Sequence, residues 1–325
     1  MLVRLFCKSS WPYFESHPMK NSVTSLCLLI AATAACTADP ATEPSKPDDV
    51  FKTTSPVVID GSLDEPCWQK AISVHADFIG TKTGVKSDTP HMTAKYAWDD
   101  NYLYIGYETF DANLIAAGKD DWQGPPNNRR QGCEIYDAKE NGAKVDVVEF
   151  FISFGDEHFF WEIHQNALNQ FNDIWCVAVD PSWPISKTTM STYGIIFNPN
   201  EWIADAGTST VAIAVKLKPK ADGKPSTVND SSDVDTGYTA EIRLPWRSIG
   251  AQSAAATWIE TKTAPGEKPA RLPGPWKMAG QSVSILAVVQ DGDLKERYHH
   301  SSPTRKPDWF HKTQPAWPRY IFVAP

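Results

Sequence analysis

No run of lysine or arginine long enough to make a basic face occurs in this 325-residue chain, whose formal net charge is -8 at pH 7. Nucleic-acid binding needs clustered cations to displace phosphate counterions, so that class of partner drops out. Apolar runs of membrane-spanning length are missing as well. The N-terminal one (residues 26–32) is bounded by Lys20 and Cys36, short of the ~20 residues that cross a bilayer core. No C-x-x-C pair is present, which removes zinc ribbons and c-type haem attachment. Phosphate loops and serine-hydrolase motifs are absent too. Helical periodicity never persists, and no internal repeat is found.

Cysteine is scarce, with 6 in all. Its N-terminal members fit an export signal: Lys20 precedes the apolar run, and Thr33-Ala34-Ala35-Cys36 resembles a bacterial lipobox with Thr where Leu is commoner. On this reading residues 1–18 are a misassigned upstream start and residues 19–36 the signal, with Cys36 carrying lipid. Cys67, Cys133 and Cys176 then remain, an odd set that allows one disulfide at most. Residues 37–52, rich in Pro, Thr and acids, read as a flexible tether, and residues 53–325 as one domain. The expected location is the cell envelope, or the secreted or periplasmic space if Cys36 is not lipidated.

What the chain has in quantity is strand signal. Residues 95–98 and 101–109 flank an Asp99-Asp100-Asn101 turn, with Leu103, Ile105 and Tyr107 on one face of the second strand. Residues 145–153 and 158–164 read as a second hairpin. Tyr238, Ala240, Ile242 and Leu244 alternate with polar residues up to Pro245. Residues 281–290 are almost continuously apolar, as a central strand should be, and residues 317–323 close the chain. Residues 57–59 predict a short strand, followed by an Asp60-Gly61 turn and a helical turn opened by Asp64-Glu65-Pro66 that carries Trp68. Together these predict an all-β chain: an antiparallel β-sandwich or jelly roll with one or two short helical turns. Three turn-rich stretches, 113–144, 180–235 and 251–279, are read as long loops, where binding residues concentrate.

Pairing Ser153 with His158 would set Glu149 opposite Glu162 and Phe151 opposite Phe160. Glu149, Phe151, Ser153, His158, Phe160, Glu162 and His164 then share one face, and Val148, Phe150, Ile152, Phe159, Trp161 and Ile163 the other. Facing carboxylates repel, so their placement together has a use: accepting sugar hydroxyl hydrogen bonds, helping to hold a cation, or acting as an acid/base pair.

Five segments in order, VVIDGSLDEPCWQKA (57–71), AKYAWDDNYLYIGYETFD (94–111), VDVVEFFISF (145–154), FFWEIHQNALNQFND (159–173) and GYTAEIRLPWRSIG (237–250), resemble the landmarks of family 9 carbohydrate-binding modules, a branch of the DOMON-like β-sandwiches. The resemblance implies a non-catalytic module that binds poly- or oligosaccharide and often accompanies secreted polysaccharide-degrading enzymes, so a secreted glycoside hydrolase is an expected partner. It assigns Glu149 to sugar hydroxyls and Trp309 to half of an aromatic clamp. The clamp's partner Trp is missing from the segment NGAKVDV, and Trp122 or Tyr136 are the substitutes. The family's Arg and Asn fall near Glu162 and His164, and its late Gln falls near Val288, with Gln290 close by. Pyranose C–H faces suit flat indoles while carboxylates and amides take the hydroxyls.

Trp68, Trp98, Trp161, Trp246 and Trp317 lie in or beside strand patterns and read as packing. Trp122, Trp183, Trp202 and Trp276 lie beside Pro or Gly in loops and read as exposed. Asp99-Asp100-Asn101 and Asn229-Asp230-Asp233-Asp235 supply the hard oxygens that structural calcium takes, but Asx-rich turns need no metal, no EF-hand spacing is present, and no calcium ligand is assigned. Two alternative functions remain. One is glycoside hydrolysis through Glu149 and Glu162 at retaining spacing. The other is haem binding by His91-Met92 with His158 or His164, although neighbours on one strand face opposite ways.

Overall fold

Apolar residues at every second position give the described residues strands and almost no helix. The computed structural model describes residues 46–80, 85–116, 145–153, 159–177, 211–246, 277–294, 298–302 and 317–325, with backbone alone at 159 and 172–177. The elements begin with β1 (Asp48–Phe51), α1 (Pro66–Lys70), β2 (Val74–Ala76), β3 (Phe78–Ile79), β4 (Val85–Lys86), β5 (Met92–Trp98) and β6 (Tyr102–Thr109). They continue with β7 (Val147–Ser153), β8 (Phe159–Gln165), β9 (Phe171–Val177), β10 (Ala212–Leu217) and β11 (Tyr238–Pro245). The last are β12 (Ser282–Gln290), β13 (Tyr298–His300) and β14 (Arg319–Val323).

Two sheets result. A nine-stranded sheet runs β4-β3-β13-β12-β7-β8-β9, with β14 beside β12 and β1 beside β14; a five-stranded sheet runs β10-β11-β6-β5-β2. Apart from the parallel pair β1–β14, every strand pairing among the described residues is antiparallel. The main core lies between the sheets. Leu103, Ile105 and Tyr107 meet Ala240, Ile242 and Leu244 from one sheet and Phe150, Ile152, Trp161, Ile163, Ile285 and Ala287 from the other. Phe150 packs against the rings of Tyr96 and Tyr107, at 6.5 and 5.6 Å between centroids. Removing such a side chain from water contributes about 2–3 kcal/mol. The β-sandwich expected from the sequence is therefore the fold, and all five tryptophans assigned to packing are at most 2% exposed.

Several expectations are corrected. Asp48–Phe51, placed in a tether over 37–52, forms β1 and pairs with β14, so the compact unit begins at Lys46. Residues 57–59 form no strand. The Asp60-Gly61 turn does form, with Gly61 at φ 84, a region that L side chains rarely adopt. Pro66 occupies the first turn of α1, but Glu65 caps nothing: its Oε1 accepts the Val58 N–H at 3.0 Å. The stretch 180–235 is not all loop, because it contains β10, which pairs with β11. β10 escaped notice because it is a half-buried edge strand with weak contrast between its faces.

The two Asx-rich clusters brace turns. Asp99 Oδ1 accepts the N–H groups of Asn101 and Tyr102, and Oδ2 accepts the Tyr104 hydroxyl at 2.7 Å. Asp235 accepts the N–H groups of Leu114 and Thr227. Asp233 pairs with Lys220 and accepts the Thr227 hydroxyl, while Asn229 Oδ1 accepts the Ala116 N–H. These are the uses that short polar side chains find in turns.

Candidate functional site

The site region is the outer face of β7, β8 and β12, and its register differs from the one expected. Glu149 lies opposite His164, and Glu162 opposite Phe151; the predicted Glu149–Glu162 and Phe151–Phe160 pairs are off by two residues. A shift of two keeps every side chain on its predicted face. Val148, Phe150, Ile152, Trp161 and Ile163 accordingly belong to the main core. Phe151 and Phe160 join Leu286, Val288 and Trp317 in a second cluster on the other face.

Across the sheet, one row runs His300–Val288–Glu149–His164 through β13, β12, β7 and β8. It places Val288 beside Glu149, at the position where the resemblance puts a glutamine. Gln290, two residues on, is buried, and its Nε2 donates to the Val145 carbonyl at 2.8 Å. His300 stacks on Phe78 at 5.9 Å, bonds the Gly80 carbonyl through Nε2 at 3.0 Å and meets the Ser302 N–H at Nδ1. That pattern needs a neutral ring with Nδ1 accepting, in line with burial lowering its pKa.

The structure brings Glu149, Glu162 and His164 together. One ligand-type atom from each lies within 4.8 Å of the other two. His164 Nε2 is 2.8 Å from Glu162 Oε1. Glu149 and His164 are 6% and 3% exposed, while the Glu162 side chain keeps 19%. Beside this trio the rings of Phe151, Phe160 and Trp317 stand 5.7–5.9 Å apart. The expected open platform is thus a mostly buried polar group with an aromatic flank. Trp309, Trp122, Tyr136 and Cys36 lie outside the described residues, as do His158, Trp183, Trp202 and Trp276.

Three other polar groups were not anticipated. Asp111, Asp146 and Asp291 converge with carboxylate oxygens within 4.8 Å. Burial raises the pKa of all three, and for Asp146 the neighbouring Asp111 charge adds to it. Asp146 is held by the N–H groups of Ile115 and Gly292. His91 and His299 stack at 3.6 Å between ring centroids and 16° between planes. Both rings are made harder to protonate by burial, and His299 falls to about 4. Met92, the expected haem-ligand neighbour of His91, is fully buried in the main core. Glu241, read from alternation as merely polar, is 0% exposed. Its place within the landmark segment 237–250 was the only available sign.

Residues 59–162 match the family model described as carbohydrate family 9 binding domain-like. Among curated proteins none matches the chain. A family 9 carbohydrate-binding module from Caldicellulosiruptor kristjanssonii, solved in complex with cellotriose, is 14% identical, with 86% of this chain and 95% of that chain covered and a TM-score of 0.42. A family 9 carbohydrate-binding module from the same organism in complex with glucose is 13% identical, with 86% of this chain and 97% of that chain covered and a TM-score of 0.43.

Proposed function

We propose that this chain, which carries a carbohydrate family 9 binding domain-like sequence over residues 59–162, binds poly- or oligosaccharide without cleaving it. The observation that carries the reading is the Glu149–Glu162–His164 trio, since both glutamates fall inside the matched segment. Carboxylates accept sugar hydroxyl hydrogen bonds, and the Glu162 side chain keeps 19% of its surface towards solvent, while the neighbouring rings are buried and back the trio. Trp309 and either Trp122 or Tyr136 are the residues that the family resemblance offers for stacking on the sugar. With Glu162 and His164 near the places of the family's Arg and Asn and Val288 near that of its Gln, the family's glucose clamp is not carried over intact, and which sugar is bound is left to the glycan array.

The chain acts at the bacterial envelope, exported and lipidated on Cys36, where it holds polysaccharide for a secreted glycoside hydrolase. Labelled palmitate incorporated by the wild type and lost in Cys36→Ser tests the anchor.

For the binding itself, the purified chain is screened on a glycan array and incubated with xylan, β-glucan and chromogenic glycosides. Sugar retention without turnover is expected, weakened in Glu149→Ala and in Trp309→Ala. Turnover abolished in Glu149→Gln would replace this reading with hydrolysis. Unchanged affinity in both alanine variants would move the site elsewhere.

A further inference from the structure

Three donors of unlike chemistry meet on the outer face of β7 and β8: two carboxylate oxygens and one imidazole nitrogen. The register creates the meeting. Glu149 stands directly across from His164, and Glu162 precedes His164 by two residues, which puts all three on one face. Chain segments distant in sequence are not needed to assemble it, so the geometry is as rigid as the sheet.

The donors are close enough for one ion to reach all three. His164 Nε2 and Glu162 Oε1 are 2.8 Å apart. Two ligands held about 2.1 Å from a common ion at the tetrahedral angle stand about 3.4 Å from each other, so the hydrogen-bonded pair needs to open by only about half an ångström when an ion takes the place of its proton. The burial pattern fits as well: Glu149 and His164 are nearly closed off, whereas Glu162 retains solvent on one side. Three protein ligands with one open side is the arrangement of a metal that also binds a substrate. The apolar neighbours Phe151, Phe160 and Val288 form the dry shell that strengthens such contacts.

We propose that Glu149, Glu162 and His164 hold a divalent cation, and that its open positions take sugar hydroxyls. Two carboxylates and a neutral imidazole balance a double positive charge. One nitrogen with two oxygens selects Zn²⁺ or Mn²⁺ over Ca²⁺, which prefers six to eight oxygens. Sugar coordination rests on the reading of this face as a carbohydrate site; cation binding does not.

The test uses the full chain, stripped with EDTA, dialysed and titrated calorimetrically with ZnCl2, MnCl2 and CaCl2. Saturable one-site binding of Zn²⁺ is expected, with Mn²⁺ weaker and Ca²⁺ weakest. His164→Gln and Glu162→Gln should each lower Zn²⁺ affinity by about tenfold or more. Circular dichroism confirms that both variants fold. Absence of saturable binding to the wild type overturns the site, as does affinity unchanged in both variants. If the variants do not fold, anomalous scattering at the zinc edge from a wild-type crystal decides: density between the three side chains supports the site, and density elsewhere overturns it.

Sugar retention is then measured with and without EDTA. Loss on chelation supports coordination of the sugar by the ion. Retention indifferent to EDTA overturns that coordination and leaves the sugar site standing. Zn²⁺ binding with no glycan retained overturns the carbohydrate reading instead.

Discussion

The indole N–H of Trp68 donates to Glu241 Oε1 at 3.0 Å across 173 residues of sequence. The other carboxylate oxygen accepts the N–H groups of Asp60 and Gly61, at 2.9 and 3.0 Å. One buried side chain on β11 thereby fastens the whole opening segment, turn and helix together, onto the five-stranded sheet. Gly106 on β6 allows the approach, because a Cβ there would stand 2.8 Å from the Leu63 side chain and 3.2 Å from the Trp68 ring. Removing the carboxylate leaves three donors without their acceptor, and each buried orphan costs about 1–3 kcal/mol. Glu241→Ala is therefore expected to destabilise the chain by about 3 kcal/mol or more in urea unfolding. A loss below about 1 kcal/mol would mean that water replaces the carboxylate and the fastening is weak.

Two buried groups give stability a dependence on pH with opposite signs. Burial holds the Glu241 carboxyl up at about 7 from an ordinary value of 4.5. The folded chain binds that proton more tightly than the unfolded one, so its stabilisation is complete below pH 4.5 and is lost as pH rises through about 7. Glu241→Gln should flatten this decline. His299 is lowered by burial, and then by the neighbouring His91, from 6.5 to about 4. Here protonation favours the unfolded chain, and stability present above pH 6.5 is lost as pH falls towards 4. Chemical denaturation midpoints from pH 4 to pH 8 should fall at both ends. An acid limb unchanged in His299→Gln would assign the acid loss to other groups.

The strands that could be read from the sequence were those with several turns of two-residue alternation. β5, β6, β11 and β12 each commit a clear apolar face to the core. β2, β3, β4 and β13 were missed because two or three residues carry no period. The hairpin register shows a subtler limit. Alternation fixes which face a residue takes but not which of the even shifts is used; that is decided by the turn. So the shared face of Glu149, Glu162 and His164 was legible, and the Glu149–His164 pairing was not. Glu241 was illegible for another reason. Its strand pattern marks it as outward, and the segment that covers it lies far earlier in the chain.

Gly237 offers a sharp test of backbone strain beside the late landmark. Its φ is 99, and a Cβ there would fall 2.2 Å from the Thr109 carbonyl oxygen. That same threonine brackets Tyr238: its hydroxyl accepts the Tyr238 N–H at 3.0 Å. Gly237→Ala must displace β6 or break this contact, and about 3 kcal/mol of stability should go with it. Gly223, at φ 80 with nothing within 4 Å, is the control. Alanine there carries only the left-handed penalty of about 1–2 kcal/mol. Equal thermal shifts for the two variants would show that the Thr109 contact relaxes without cost.

The aromatic flank of the site divides into packing and recognition, and Phe151 separates them. It is 3% exposed and held by Phe160, Trp317, Leu286 and Val288. Glu162 stands across from it on β8. Phe151→Ala opens a cavity in this cluster and should cost about 3–5 kcal/mol. Phe151→Leu keeps most of the apolar volume and should cost less than about 1.5 kcal/mol. If Phe151 packs and does not stack on sugar, the leucine variant retains glycan affinity, whereas Glu149→Ala loses it at similar stability. Affinity electrophoresis beside thermal melts reads both quantities. A leucine variant that melts like the wild type yet no longer binds would make the Phe151 ring part of the recognition surface, because its flat face is then the property that mattered.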